Sequence, residues 1–427
     1  MSTARTLHVT IASTRAMVKI IDRPGSPHAH AIRDFLHRSD VPFEWVELRS
    51  DDEARRVGVD NCRDPRLPVC VFPDGVRMER PTIRQITEKL GWFRDPSRSE
   101  YDLAIYGAGP AGLSAAVYGA SEGLKTVVIE RWAPGGQAAS SPKIENYLGF
   151  PDGISGAELT ERARNQACRF GAELLLAREG VRGEFTAGKR VGYLADGTKI
   201  VARSAICATG VEYYTLPVEG EERFRGAGLY YGAGASEASL CRNEHVVVVG
   251  GGNSAGQAAV QFARFARQVT MVVRGDSLKT TLSAYLEDRI AAASNIEVLT
   301  NSEITALVGD DVLQTVEITN RRTGQKRRLD THWLFACLGG APHTDWAVEA
   351  GVARDEAGYL VTGPDLLSEV HPPSRWPLDR PPYYLETNVP GLFAAGDVRH
   401  GSVKRCASAV GEGAMAVTFV HRYLAEG

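Results

Sequence analysis

The sequence predicts an α/β protein in which two strand–glycine turn–helix–strand units follow a smaller α/β segment. Three observations predict it. An apolar run, YDLAIY, leads into Gly107-x-Gly109-x-x-Gly112, then a helical stretch, then a second apolar run ending in Glu130. The plan repeats from Glu244, where HVVVV leads into Gly250-x-Gly252-x-x-Ala255 and a second strand that ends at Arg274. Ahead of both, residues 1–98 carry apolar runs in the order β-α-β, then β-β-α.

Composition sets the frame. The chain has 427 residues, enough for two to four domains, with 43% apolar and 24% charged residues. A net charge of −3 lacks the basic footprint of a nucleic-acid binder, so no nucleic-acid partner is expected. The seven cysteines (Cys62, Cys70, Cys168, Cys207, Cys241, Cys337 and Cys406) are odd in number and form no C-x-x-C, which argues against a disulfide scaffold or a local zinc cluster. No apolar stretch reaches the roughly 18 residues of a membrane span, and the N-terminus shows no signal-peptide apolar region. The expected setting is therefore cytoplasmic, without membrane or metal. No Ser/His/Asp arrangement stands out, and His28 and His30 read as exposed polar residues at a helix start.

In the first segment, HVTIAS reads as a strand, SPHAHAIRDFLHRS as a helix and FEWVEL as an alternating strand. LPVCVF and GVRMER flank Pro73-Asp74-Gly75, a hairpin turn signal. PTIRQITEKLGW reads as a helix with Pro81 in its first turn and an end near Gly91. The polar RDPSRSE that follows reads as a linker.

The two glycine units are Rossmann-like dinucleotide-binding folds. In the first, Gly107 permits the tight turn, Gly109 lets backbone approach a pyrophosphate, and Gly112 lets helix pack on strand. Pro110 and Ala111 open the helix whose N-terminus faces phosphate charge. Glu130, 18 positions after Gly112, offers a carboxylate to the ribose hydroxyls, as FAD or NAD requires. The second fold presents Gly250, Gly252, Asn253, Ser254 and Ala255, and its second strand ends in Arg274 in place of an acid. A carboxylate there would repel a 2′-phosphate, whereas a guanidinium pairs with it at two points, so Arg274, helped by Lys279, favours NADP.

Four further stretches carry a family resemblance: PGGQAASSPKIENYLGFPDGISGAEL (134–159), ICATGVEY (206–213), LFACLGGAPHT (334–344) and PGLFAAGDVRHGSVKRCASAVGEGAMAV (390–417). With the two glycine motifs, Tyr101 to the C-terminus resembles the low-molecular-weight thioredoxin reductases. The resemblance implies FAD on residues 101–213 and 341–427, NADPH on residues 214–340 inserted between them, and a homodimer. It also implies that Gly135, Gly136, Gln137 and Asn146 lie near the flavin and that Thr209 and Gly210 end the strand returning to the FAD fold. Gly396 and Asp397 would reach the ribityl or pyrophosphate region, and Arg405, Cys406 and Ala407 would pass the pyrimidine edge. The family has glutamine where this chain has Cys406. Residues 1–98 resemble the thioredoxin and glutaredoxin fold, with Pro68 where that family has a cis-proline, but Ser26-Pro27-His28-Ala29 stands where its redox cysteines would be.

The reductase resemblance fails at one place. Thioredoxin reductases carry a C-x-x-C just before the second glycine motif; positions 232–236 here are Gly, Ala, Gly, Ala and Ser, and Cys241 follows without a partner. The dithiol relay to a thioredoxin disulfide is therefore not expected. The reading that follows is an NADPH-oxidising FAD enzyme serving a non-disulfide acceptor: ferredoxin, flavodoxin, a quinone or another small molecule. A disulfide reductase using thiols of its partner, and a non-catalytic sensor or scaffold binding both dinucleotides, are the alternatives. Cys406, His343 and His400 are the candidate reactive or proton-transfer residues beside the flavin motifs. Tyr230 and Tyr231 could stack on a ring or simply pack, and the Pro-rich stretch 363–384 reads as an added loop.

Overall fold

The computed structural model describes residues 17–186, 188–232, 237–238, 240–279, 281–367 and 376–426. The first unit runs β1 (Val18–Asp22), α1 (Pro27–Arg38), β2 (Phe43–Glu47), α2 (Asp51–Arg56), β3 (Val69–Val71), β4 (Arg77–Glu79) and α3 (Ile83–Lys89). Its sheet has the order β2-β1-β3-β4, with β1 and β2 parallel and the other pairs antiparallel. Ser26 caps α1 by accepting from the Ala29 amide at 3.3 Å, and Pro27 opens the helix. Ala29, Ile32, Phe35 and Leu36 then form one stripe buried against Ile20, Cys70 and Ile86.

Three details differ from the sequence reading. VKIID forms a strand that was not foreseen, while the expected strand HVTIAS lies outside the described residues. Pro81 stands before α3, whose cap is Thr82 in a reciprocal capping box with Gln85. The short α2 was not foreseen. The Leu67–Pro68 peptide is cis.

The next stretch contains β5 (Tyr101–Tyr106), α4 (Pro110–Ser121), β6 (Thr126–Glu130), a 3₁₀ turn (Gly136–Ser140), α5 (Gly156–Arg169), β7 (Glu173–Leu176), β8 (Gly180–Thr186), β9 (Lys189–Leu194), β10 (Lys199–Cys207) and β11 (Glu212–Tyr213). The second nucleotide fold follows: α6 (Glu221–Phe224), β12 (Leu229–Tyr231), β13 (His245–Val249), α7 (Asn253–Phe262), β14 (Gln268–Val272), α8 (Ala284–Ala292), β15 (Ile296–Leu299), β16 (Ser302–Gly309), β17 (Leu313–Asn320), β18 (Lys326–Asp330), β19 (Trp333–Ala336) and β20 (Gly340–Ala341). The chain then returns through α9 (Asp345–Glu349), a 3₁₀ turn (Gly363–Leu367), β21 (Leu392–Ala394) and α10 (Cys406–Glu426).

The strand order β7-β6-β5-β10-β9-β8 forms one sheet, and β21 joins it in parallel beside the last three residues of β10. This sheet thus draws on chain before and after the second fold. The second sheet, β12-β19-β13-β14-β15, is parallel throughout, and β16-β17-β18 make an antiparallel flap. α4 is apolar on nearly all sides because it is covered on nearly all sides: Ala111, Leu113, Ala115 and Ala116 are buried between β5 and α10. Small residues set that spacing, since a methyl on Gly413 of α10 would fall 2.1 Å from the Ala111 carbonyl oxygen. The two nucleotide folds are joined where β11 pairs with β20, two residues against two. Of the Pro-rich stretch, residues 368–375 lie outside the described residues; beyond them Arg380 pairs with Glu386 at 2.7 Å and Glu426 at 2.8 Å.

Candidate functional site

Both glycine turns end in a helix whose first amides carry no side-chain cap. Gly109 caps α4 and Gly252 caps α7, and neither offers an acceptor, whereas Ser26, Ser50, Thr82 and Ser155 cap α1, α2, α3 and α5 with their hydroxyls. Those open N–H groups and the positive end of the helix dipole suit phosphate. The turns themselves are tight. Gly107 sits at φ +104°, and a methyl on Gly112 would lie 1.8 Å from its carbonyl oxygen. A methyl on Gly109 or Gly252, by contrast, would meet no protein atom within 4 Å. The space over both caps is open on the side a pyrophosphate would take.

Glu130 ends β6 beside the first turn. It is buried, accepting from the Ala108 amide through Oε2 and from the Trp132 amide through Oε1, each at 2.8 Å. Burial raises its pKa, and the two amide bonds, Arg131 and Arg38 oppose that rise. The loop after β6 returns to the same turn: the Gly135 amide donates to the Ala108 carbonyl at 2.6 Å, and Gly136 lies against Gly109. Gln137 donates to the Val211 carbonyl at 2.5 Å, which ties this loop to the strand end carrying Thr209 and Gly210. Gly107 in turn packs on Ala208 and Thr209. From the far end of the chain Gly396 comes within contact of Ala111, its amide donating to Glu412 at 2.7 Å. Asp397 is half-buried, and burial raises its pKa against the pull of Lys404 and Arg405. Gly107, Gly109, Pro110, Ala111, Gly112, Glu130, Gly135, Gly136, Thr209 and Gly396 thus line one cradle. Asn146 and Arg405 are exposed, and Ala407 stands on the first turn of α10.

In the second fold Asn253 accepts from the Ser283 amide at 2.8 Å, which fixes the loop before α8 against the α7 cap. Ala255 is buried under Gly250, while Ser254, Arg274 and Lys279 are exposed around the cap and the end of β14. No acid follows β14 until Asp276.

The three candidate reactive groups have different settings. Burial raises the Cys406 pKa, and Asp397 pushes it the same way, which leaves less thiolate than an exposed cysteine has. His400 is tied to Asp355 at 2.6 Å, and His343 is exposed 3.5 Å from Glu212. Tyr230 packs, stacking on Phe335 at 5.2 Å and Trp333 at 5.7 Å. Tyr231 donates to Glu221 and accepts from the Leu216 amide, each at 2.7 Å. Positions 233–236 lie outside the described residues.

The sequence reading did not anticipate a cavity of about 320 Å³ where the first unit meets both nucleotide folds, lined by His37 and Arg38 of α1, Trp132, Tyr213, Tyr230 and Glu237 among others. Nor are His28 and His30 free surface residues: His28 Nε2 lies 2.8 Å from the Pro81 carbonyl, and His30 Nδ1 lies 3.0 Å from Glu237. Among the described residues no group of three or more His, Cys, Asp or Glu could hold a metal, and no helix is long and apolar enough to cross a membrane.

Comparison with known proteins adds independent findings. The family model described as pyridine nucleotide-disulphide oxidoreductase matches residues 101–413. A thioredoxin reductase of Listeria monocytogenes is 34% identical over 328 residues, covering 76% of this chain and 94% of that protein. One of Treponema pallidum is 35% identical over 329 residues, covering 76% and 98%. A 34.2 kDa protein in a rubredoxin operon of Clostridium pasteurianum is 30% identical over 333 residues, covering 76% and 97%. Among solved structures, Lactococcus lactis thioredoxin reductase in its FR conformation superposes with a TM-score of 0.68 at 30% identity, covering 77% of this chain and all of that one.

Proposed function

The chain belongs to the pyridine nucleotide-disulphide oxidoreductase family, and from that premise we propose that it passes electrons from reduced flavin to an acceptor other than a disulfide. It is a thioredoxin reductase-like oxidoreductase that uses FAD and NADPH. The residues fit both groups. Two uncapped helix starts each face a space that the chain leaves open, one beside a buried carboxylate for ribose and the other beside exposed cations for a 2′-phosphate. On this reading Glu130 holds the FAD ribose, Gly135 to Gln137 and Asp397 border the flavin, and Arg274 with Lys279 selects NADPH. Bound FAD supplies two-electron chemistry, taking a hydride and releasing it whole or as single electrons. The chain's part is to hold and orient both dinucleotides.

The single observation that carries the choice of acceptor is the missing thiol pair. Positions 232–236 hold no cysteine, and all seven cysteines of the chain are free. Cys241, the nearest along the chain, and Cys337, whose Sγ donates to the Gly232 carbonyl at 3.4 Å, are buried, and burial raises both thiols, Cys337 to about 12. Neither provides a thiolate near neutral pH. A small redox protein, a quinone or another small molecule fits as recipient, and the first unit, with its β2-β1-β3-β4 sheet, supports a thioredoxin-like module without redox cysteines.

Anaerobic titration tests this. NADPH should bleach the yellow protein, and a quinone, ferricyanide or ferredoxin should restore the absorbance. A protein thiol disulfide as the fastest acceptor, with two new thiols on this chain after reduction, would reverse the assignment.

A further inference from the structure

We propose that the first unit is a strap that holds the two nucleotide folds at one fixed angle, with α1 as its cross-member. The folds are joined by the two-residue ribbon β11–β20, Glu212 against Ala341 and Tyr213 against Gly340, and meet again only at the surface pair of Arg289 with Glu145 at 2.5 Å among the ion pairs of the described residues. A junction that short acts as a hinge, because a few dihedral changes would swing one fold about the other. The first unit spans that hinge and is attached on both sides of it.

On the FAD side, Arg38 at the end of α1 donates through Nη1 to the Gly136 carbonyl at 3.2 Å, its charge balanced by Asp34 at 2.8 Å. The linker is pinned to the same fold. Arg178, 1% exposed, reaches the Arg94 carbonyl at 3.0 Å and Asp95 at 2.6 Å, lies over the Phe93 ring and pairs with Asp196 at 2.7 Å. Ser97 and Tyr101 both donate to Glu173.

On the NADPH side, His30 Nδ1 lies 3.0 Å and Arg33 Nη2 3.9 Å from Oε1 of Glu237, whose side chain is 1% exposed. The His30 ring meets Tyr230 edge-on at 4.8 Å. The backbones interlock as well. A methyl on Gly25 would overlap Val312 Cγ1, 2.0 Å away, and one on Gly226 would lie 3.0 Å from Pro27 Cα. Arg63 and Arg23 converge on Asp311 at 2.7 and 3.8 Å. The exposed Asp311 pairs contribute little by themselves. The close backbone fit and the buried Glu237 contacts are different: a swing about the ribbon must break them together.

The strap gives the first unit a task that needs no thiols. It also deepens the functional reading, since a chain without a dithiol has no second group to bring to the flavin in alternation with the nicotinamide. The inference rests on that reading for its purpose, though not for its geometry.

Spin labels on noncanonical residues at Val181 of the FAD sheet and Thr323 of the NADPH flap, both exposed, report the angle through their distance distribution. The full-length protein should give one narrow distribution, unchanged by NADPH. A combined His30→Ala and Arg33→Ala variant should broaden it and make it respond to NADPH. A broad or NADPH-shifted distribution in the wild type overturns the strap, as does a variant distribution as narrow as the parent's. Should that variant not fold, Glu237→Gln carries the same test, and the wild-type measurement decides without any variant. Flavin bleaching, read separately on the same samples, reports on the functional reading: failure to bleach sinks that reading and leaves the distance result standing.

Discussion

At Gly109 and Gly252 an added methyl group touches nothing in the protein, while at Gly112 it collides with the Gly107 carbonyl. The three positions therefore separate folding from binding. Gly112→Ala is expected to cost about 1–3 kcal/mol of stability as an overpacked contact, seen as a lowered melting temperature of the cofactor-free protein. Gly109→Ala should leave that temperature unchanged yet weaken FAD in reconstitution titrations by about tenfold or more, because the methyl occupies the phosphate's approach. Gly252→Ala should do the same to NADPH alone. Equal FAD affinity in Gly109→Ala and wild type would remove the cradle from the account. Thiols behave predictably at this scale too. A raised thiol pKa leaves less thiolate at any given pH, so reactivity must climb as pH rises toward that pKa. Cys70 and Cys337, both pushed up to about 12, should resist a disulfide reagent at pH 8 until the protein is unfolded. Cys168, on the surface, should react first, and prior reduction by NADPH should add no thiol to the count.

At the scale of elements, the end of β14 sets which nicotinamide dinucleotide binds. A guanidinium–phosphate contact contributes about 1.5–3 kcal/mol, so Arg274→Ala should raise the NADPH KM by roughly 10- to 100-fold and leave the NADH KM alone. Steady-state rates with both dinucleotides check it; parallel changes would place Arg274 outside the 2′-phosphate site. This prediction was available from the sequence because the chemistry is local: strand, glycines, helix and terminal residue all fall within one short stretch. Other elements were hidden for physical reasons. VKIID is a short β-branched run, and periodicity alone does not tell whether so short a run enters a sheet. α2, DDEARR, is polar on nearly every side, is held by the Ser50 cap and buries only Ala54, so no apolar stripe announces it. Pro81 looked like a first-turn residue, but Thr82 and Gln85 satisfy each other's amides and the helix starts at Ile83. The candidate cradle was legible wherever glycine spacing or family motifs mark it. Arg38, Tyr213 and Glu237 were not, because residues that meet across 98 to 207 positions of chain leave no periodic trace.

For the whole molecule, the question is whether the first unit unfolds with the FAD fold or apart from it. Arg178 is the connection to examine. Its side chain is buried, binds two groups of the linker and two of the β9–β10 turn, and has no counterpart elsewhere along the linker with as many contacts among the described residues. Its carboxylate partners differ in setting: Asp95 is 88% exposed and Asp196 21% exposed. Removing the guanidinium therefore strands little charge away from water. The cost should follow hydrogen bonds to charged groups, about 1.5–3 kcal/mol, and not the larger penalty of breaking a fully buried ion pair. Spread evenly, that loss would only lower a single melting temperature. Because it falls on the linker, Arg178→Ala should instead split the calorimetric transition, the first unit melting ahead of the nucleotide folds, whereas the parent melts both together. Arg178→Lys keeps a charge but loses the fork that binds both sides at once, so it should resemble Ala more than the parent. One undivided transition in both variants would mean that α1 and its contacts to Gly136 and Glu237, not the linker, couple the first unit to the rest.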